Sequence, residues 1–301
     1  MVTEGVLDFA FRGVGLLYKT NHGDKLAKMA LGAKRKVDFV EVITEDLMLP
    51  ASMRADRRLE PALTTVLENF PISLHGISLS IGSADPIDFD YLKAMKKLIQ
   101  TYHPICVSDH LVWCGIGGRR VHELLPIPYT EKTLRFVSDR IDAVQEYLGR
   151  AIAFENSPTY FRYKISNIEE ADFLNRLCKR TGCRLLLDLN NLFINATNNR
   201  FSPIQYLERI DLNFVEHIHI AGSKKNQGFL IDTHDDFVSK NVWSLLKYVF
   251  ARKPEINTVL EWDYNFPSFK ELTDEVKKAK SIQLSARTQR RADRPLKTYY
   301  R

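Results

Sequence analysis

Long apolar runs are missing from this chain of 301 residues: none approaches the roughly 20 needed for a helix to cross a bilayer, so no membrane partner is expected. Cysteine is scarce. The four present, Cys106, Cys114, Cys178 and Cys183, are irregularly spaced and contain no CxxC pair, which excludes a disulfide scaffold and a zinc knuckle. Cys106 lies in an expected strand and Cys178 on an expected helix, where a thiol usually serves as a small buried hydrophobe. The opening MVTEGVLDFAFRGVGLLY lacks the basic start, apolar core and small-residue cleavage site of a signal peptide, so a cytoplasmic location is expected. Low-complexity segments are absent too. The formal charge of +6 does not describe a basic groove, because residues 281–301 hold Arg287, Arg290, Arg291, Arg294, Lys297 and Arg301 against Asp293 alone. The remainder is nearly neutral, and no nucleic-acid partner is expected.

What the chain has instead is a repeated unit. Eight short runs rich in Val, Ile, Leu and Phe begin at residues 14, 37, 72, 104, 151, 184, 214 and 258, each too short for a buried helix and each followed by a longer helical pattern. Parallel strands buried on both faces read this way, and eight β/α units predict a single (β/α)8 barrel. The expected division is a barrel domain over residues 1–280 and a basic tail over 281–301. Helices are predicted over 89–102, 129–149, 167–183 with Asn167 as N-cap, 240–253 and 268–280, with Gly149 and Gly182 as stops.

The ends of the strands carry the chemistry. Barrel enzymes build their sites from loops after the strands' C-terminal ends, and here six consecutive strands end in His75, His110, Glu155, Asp188, His219 and Glu261. The loop before the last strand adds Asp232-Thr-His234, two side chains on the same side of an extended segment. Four carboxylates in one enclosed mouth repel unless cations sit among them. Imidazole and carboxylate donors without thiolate favour Fe(II), Mn(II) or Zn(II), with Glu155, Asp188 and Glu261 as bridges between ions. Of the other histidines, His22 and His103 are expected at the surface, His122 near the mouth, and His217 one layer below His219 as its support. The loops 45–60, which begins at Glu45, and 222–234, with Lys224, Lys225 and Asn226, are candidates to hold substrate. An endonuclease-IV-like phosphodiesterase or a sugar isomerase has the same architecture, but Asn191 stands three residues after Asp188 where the phosphodiesterases have His.

The strings LHGISLSIG, VSDHLVW, HELLPIPYT, FENSPTY, LDLNN, EHIHIAG, DTH and LEWD, in order between residues 74 and 263, resemble the multinuclear non-heme iron-dependent oxidative enzymes. That formerly uncharacterised barrel family includes the methanobactin-maturation oxidase. The resemblance implies two or three irons, dioxygen as cosubstrate, and oxidative rearrangement of cysteines in a ribosomally made precursor peptide, assisted by a small peptide-recognition protein. It implies His75, His110, Glu155, Asp188, Asn191, His219, Asp232, His234 and Glu261 as iron ligands, with Glu155, Asp188 and Asn191 closest to the catalytic event. Ser223 departs from the histidine that relatives often carry there.

Overall fold

The computed structural model describes residues 13–48 and 60–292. In chain order, strands β1 (Val14–Leu17), β2 (Val40–Ile43), β3 (Ile72–Gly76) and β4 (Cys106–His110) are followed by a hairpin of β5 (Val112–Ile116) and β6 (Arg119–Pro126). Then come β7 (Ala153–Glu155), β8 (Arg184–Asp188) and β9 (Val215–Ile220), a second hairpin of β10 (Ser223–Asn226) and β11 (Phe229–Asp232), and β12 (Asn257–Leu260). Eight of these close into a parallel barrel in the order β1-β12-β9-β8-β7-β4-β3-β2. This is the (β/α)8 architecture expected. The two hairpins are an addition to it: the stretches before residues 129 and 234 read as loops, because their turns carry Gly117-Gly118 and Gln227-Gly228 between polar rather than alternating apolar residues.

Helices α1 (Thr20–Ala30), α2 (Thr44–Met48), α3 (Pro61–Asn69), α4 (Phe89–Tyr102), α5 (Glu131–Leu148), α6 (Glu170–Thr181), α7 (Leu189–Asn199), α8 (Pro203–Arg209), α9 (Lys240–Arg252) and α10 (Phe269–Ala292) ring the barrel. Among the described residues no helix is long and apolar enough to cross a membrane. Their apolar stripes pack on the outward strand residues in one core running from Val14 to Ala279. Helix α5 starts where Thr130 accepts a hydrogen bond from Thr133 N, and it ends at left-handed Gly149. Two boundaries differ from expectation. Helix α6 begins at Glu170, because Asn167 N donates to Tyr129 O and ties that residue to the preceding loop. Helix α10 runs through residue 280 to Ala292, since Gln283 is buried and donates to Ile256 O at 2.8 Å.

Inside the barrel the floor is apolar and the upper layers are polar. Phe39 and Val259 form one apolar cluster with Leu17, which rises from them to the mouth, and Cys106, Ala153 and Leu186 form another. Gly15 makes room for it: a Cβ there would lie 2.7 Å from the Phe39 ring. Because alternate residues on a strand share a face, the same inward rows continue upward into Glu41, Ser73, His75, Ser108, His110, Glu155, Asp188 and His219, all buried.

Pairing of β8 with β9 skips a residue between Leu185 and Leu186, so Glu216 bulges out of register. Burial raises its carboxyl to about 7, against the pull of Arg150 and Arg184. The folded chain therefore holds a proton there that the unfolded chain releases above its ordinary value near 4.5. That contribution to stability is complete below about pH 4.5 and is lost as pH rises through 7, an upper limit of about 3 kcal/mol. Glu216→Gln should flatten the fall in melting temperature between pH 5 and 8, and an unchanged slope would rule this carboxyl out as its source.

Candidate metal centre

Strand register brings the ligands together in rising steps. His75 on β3 pairs with Ser108 on β4, His110 two residues on pairs with Glu155, and Asp188 on β8 pairs with His219 on β9. Glu261, one residue past β12, is held by its N–H donating to Ile220 O at 3.0 Å. The segment after β11 brings in Asp232 and His234, whose left-handed backbone (φ 46°) is held by hydrogen bonds to Gly222 O and from Asp263 N.

The side chains converge closely. Glu155 Oε2 lies 3.2 Å from His75 Nε2, 3.3 Å from His110 Nε2 and 3.8 Å from His219 Nδ1. Glu261 Oε2 lies 3.2 Å from His219 Nδ1 and 3.8 Å from His234 Nδ1, so it spans the two halves of the cluster. His234 Nε2 is 2.7 Å from Asp232 Oδ1. Two sets of donor atoms, His75–Glu155–His219 and Asp188–His234–Glu261, are each tight enough to hold one metal ion, and a third set adds Glu41 to His219 and Glu261. All nine candidate ligands named from the sequence meet here.

Each histidine is also held from behind, which sets which nitrogen faces the centre. His75 Nδ1 contacts Ser108 Oγ at 2.9 Å, His110 Nδ1 contacts Gly76 O at 3.2 Å, and His234 Nδ1 contacts Asp263 Oδ2 at 2.8 Å. Asp263 is in turn paired with Lys19 at 2.6 Å. For His219 the acceptor is Glu41: its Oε1 lies 2.8 Å from Nε2, while its Oε2 accepts from Ser73 Oγ at 2.8 Å. Asn191 is oriented likewise. Its Nδ2 donates to Glu155 Oε1 and to Asn156 O, leaving Oδ1 buried without a hydrogen bond.

Electrostatics agree with a centre built for cations. Burial, with Glu155, Asp232 and Glu261 alongside, pushes the Asp188 carboxyl well above the carboxylate range. His75 resists burial only because Glu155 and Glu41 hold its imidazolium, which raises it to about 9. Glu155 Oε2 and Asp188 Oδ2 are buried with no hydrogen bond. Without cations, protons must do their work.

Several residues sit elsewhere than expected. His22 is not at the surface: it is 6% exposed, packed between Phe266 and Phe269, because the loop after β12 folds over α1. His217 packs edge-on against Phe39, and the support for His219 comes from Glu41 instead. Glu45 accepts from Ile77 N and Tyr91 Oη beside a buried Asp109, and it does not line the mouth. Lys224 pairs with Asp235, while Lys225 and Asn226 point to solvent on the β10–β11 hairpin. The side chain of His122, and residues 49–59 of the expected 45–60 loop, lie outside the described residues. Glu41, Ser108 and Asp263 were missed in the sequence. The available signal was parity, since Glu41 and Ser108 occupy the same inward rows as recognised ligands.

A carboxamide at Glu41 would present an N–H to a ring that needs an acceptor. Glu41→Gln should weaken metal binding about 10- to 100-fold, measured by competition with a chelator; wild-type affinity would remove Glu41 from this role.

A closed (β/α)8 barrel whose mouth gathers imidazole and carboxylate groups that could hold metal ions defines the class of protein. Within that class the chain belongs to the family described as RiPP precursor modification enzyme MbnB/TglH/ChrH, whose model matches residues 13–284. RiPPs are ribosomally synthesised, post-translationally modified peptides. A UPF0276 protein of Rhizorhabdus wittichii is 42% identical over 270 residues, 90% of this chain and 94% of that one. One from Acaryochloris marina is 42% identical over 217 residues, covering 72% and 79%. Among solved structures, the fold is similar to that of the 3-keto-D-glucoside 4-epimerase YcjR from E. coli (TM-score 0.57, 14% identity, 90% and 100% covered). It is equally similar to endonuclease IV from Thermus thermophilus (TM-score 0.56, 15% identity, 91% and 99% covered).

Proposed function

We propose that this protein is an iron- and dioxygen-dependent oxidase that modifies cysteine residues of a ribosomally made precursor peptide. The observation that carries the reading is the donor set: four imidazoles, each with its outer nitrogen already engaged, aim their remaining nitrogens at carboxylates, and Asn191 adds a buried Oδ1 with no hydrogen bond. His75, His110, Glu155 and His219 would hold one ion, and Asp188, Asp232, His234 and Glu261 another, with Asn191 as a weak neutral donor beside them. A third ion is compatible with the same residues. Iron bound there supplies the electrons that activate dioxygen and a centre to which a cysteine thiolate binds.

The chain's own groups shape the rest. Above the ligands lies a cavity of about 690 Å³ walled by Leu17, Ile43, Ile77, Leu124 and Pro158, large enough for a short stretch of peptide. The cluster opens on the side of His110, Asp232 and His234, whose side chains keep 10 to 15% of their surface. A thiol entering there meets the least enclosed ligands first. No Lys or Arg is among the described residues lining this cavity, so it lacks the basic side chains with which nucleic-acid-binding grooves track a phosphate backbone. A small partner protein that delivers the peptide belongs to the same reading.

Anaerobic purification followed by metal analysis should find two or three irons per chain. Co-expression with a cysteine-containing precursor peptide should change that peptide's mass in air and leave it unchanged without oxygen. An iron-loaded protein that leaves the peptide unaltered in air, or one that takes up only zinc or manganese, would overturn the proposal.

A further inference from the structure

A second cavity lies next to the mouth. The two share a partition: Leu124 and Pro158 line the mouth, whereas Pro126 and Thr159, from the same two segments, line the neighbour. Thr159 is fixed by hydrogen bonds from its N and Oγ1 to Asn195 Oδ1, one turn of α7 beyond Asn191. At about 240 Å³ the cavity is smaller than the 300 to 1,000 Å³ usual for small-molecule sites. A single large side chain is a better match in size.

Its walls are aromatic pairs. Phe161 and Tyr163 meet at 5.4 Å on one side, and Phe201 and Tyr206 at 6.2 Å on the other. Phe161 remains 45% exposed and Phe201 37%, so each ring leaves a face open. Between them stands Glu170, whose Oε1 accepts from Tyr129 Oη at 2.8 Å, with the buried Tyr206 beside it. Four charged residues line the cavity, and Arg209 is already paired with Asp172. Once Glu170 is ionised, Glu169 and Glu170 face Arg162 alone, a surplus of negative charge among π faces. Such a setting attracts cations.

We propose that this cavity is an anchor for a basic side chain, lysine or arginine, of the peptide that is modified in the mouth. The peptide identity of the ligand rests on the function proposed above; the preference for a cation rests on the cavity alone. Burial raises Glu170 to about 7 when the cavity is empty, and an ammonium or guanidinium group beside it restores the carboxylate. A chain leaving the anchor crosses the partition at Tyr160, whose Oη accepts from Asp232 N at 3.0 Å. The anchor thus sets which residue of the peptide reaches the metal centre.

The test is an NMR titration of the whole protein with N-acetyl-lysine and N-acetyl-arginine methylamides, with the leucine and glutamate derivatives as controls. Saturable shifts of Tyr129, Tyr163 and Tyr206 are expected for the basic probes only. Glu170→Gln, which keeps the shape, and Phe161→Ala, at an exposed position that cannot unfold the core, should each weaken binding about tenfold. Equal response to leucine or glutamate, no saturation by either basic probe, or unchanged affinity in Glu170→Gln would overturn the anchor. Metal content and peptide oxidation are read separately, so loss of the oxidase reading would leave these shifts in place, and their absence would leave the metal centre untouched.

Discussion

Glu155→Ala is expected to strip the protein of metal and of activity together. Its Oε2 lies within 3.3 Å of both His75 and His110, and its Oε1 accepts from Asn191, so one substitution removes the carboxylate on which three other donors are arranged. Residues that only orient ligands cost 10- to 100-fold in metal affinity when changed; loss of a shared ligand should exceed about 100-fold. Metal analysis after gel filtration reads the effect directly. A variant that keeps its full complement of ions and turns over normally would show that the centre is not organised on Glu155. Stability supplies a control, because with no ion bound the same change also leaves the His75 imidazolium without its nearest partner. The apo variant should therefore lose the elevation of His75, which burial opposes and Glu155 sustains.

The second large effect arises at a residue that supplies no donor atom to the centre. Gly222 lies where the chain leaves β9, and a Cβ there would overlap the backbone carbonyl of Asp236 and come within 3.0 Å of Phe237 O. Backbone atoms cannot rotate away as a side chain does. Gly222→Ala must displace the segment carrying Asp232 and His234, which is tied to this position by His234 N donating to Gly222 O at 3.1 Å. Crowding of this kind costs about 1–3 kcal/mol, and the displacement should empty the Asp188–His234–Glu261 half of the centre while His75, His110 and Glu155 keep theirs. The measured outcome is a lower melting temperature with one ion fewer per chain. Unchanged melting and full metal content would mean that the segment tolerates the shift.

These two residues also mark how far the sequence could be read. Glu155 ends an apolar run in a row of similar endings, and local pattern alone singled it out, as it did His75, His110, Asp188, His219 and Glu261. Gly222 in the string HIAGS looks like any loop glycine, since its constraint comes from a backbone fourteen residues later that returns over it. Glu41 was hidden for a related reason. It sits in the middle of a strand that reads as an ordinary buried run, and its meaning depends on His219 from a strand that is not its neighbour in the barrel. His22 was misplaced because its burial is conferred by Phe266 and Phe269, far along the chain.

By itself, then, the sequence determined the eight-unit barrel and which residues would stand at its mouth, because strand burial and side-chain parity are local properties with a period of two. Tertiary structure alone decided which nitrogen of each imidazole faces inward, that Glu41 and Asp263 hold two of those rings, and that an aromatic, acidic cavity opens beside the mouth. Those are contacts between segments distant in the chain, set by strand register and loop packing, and no local pattern encodes them.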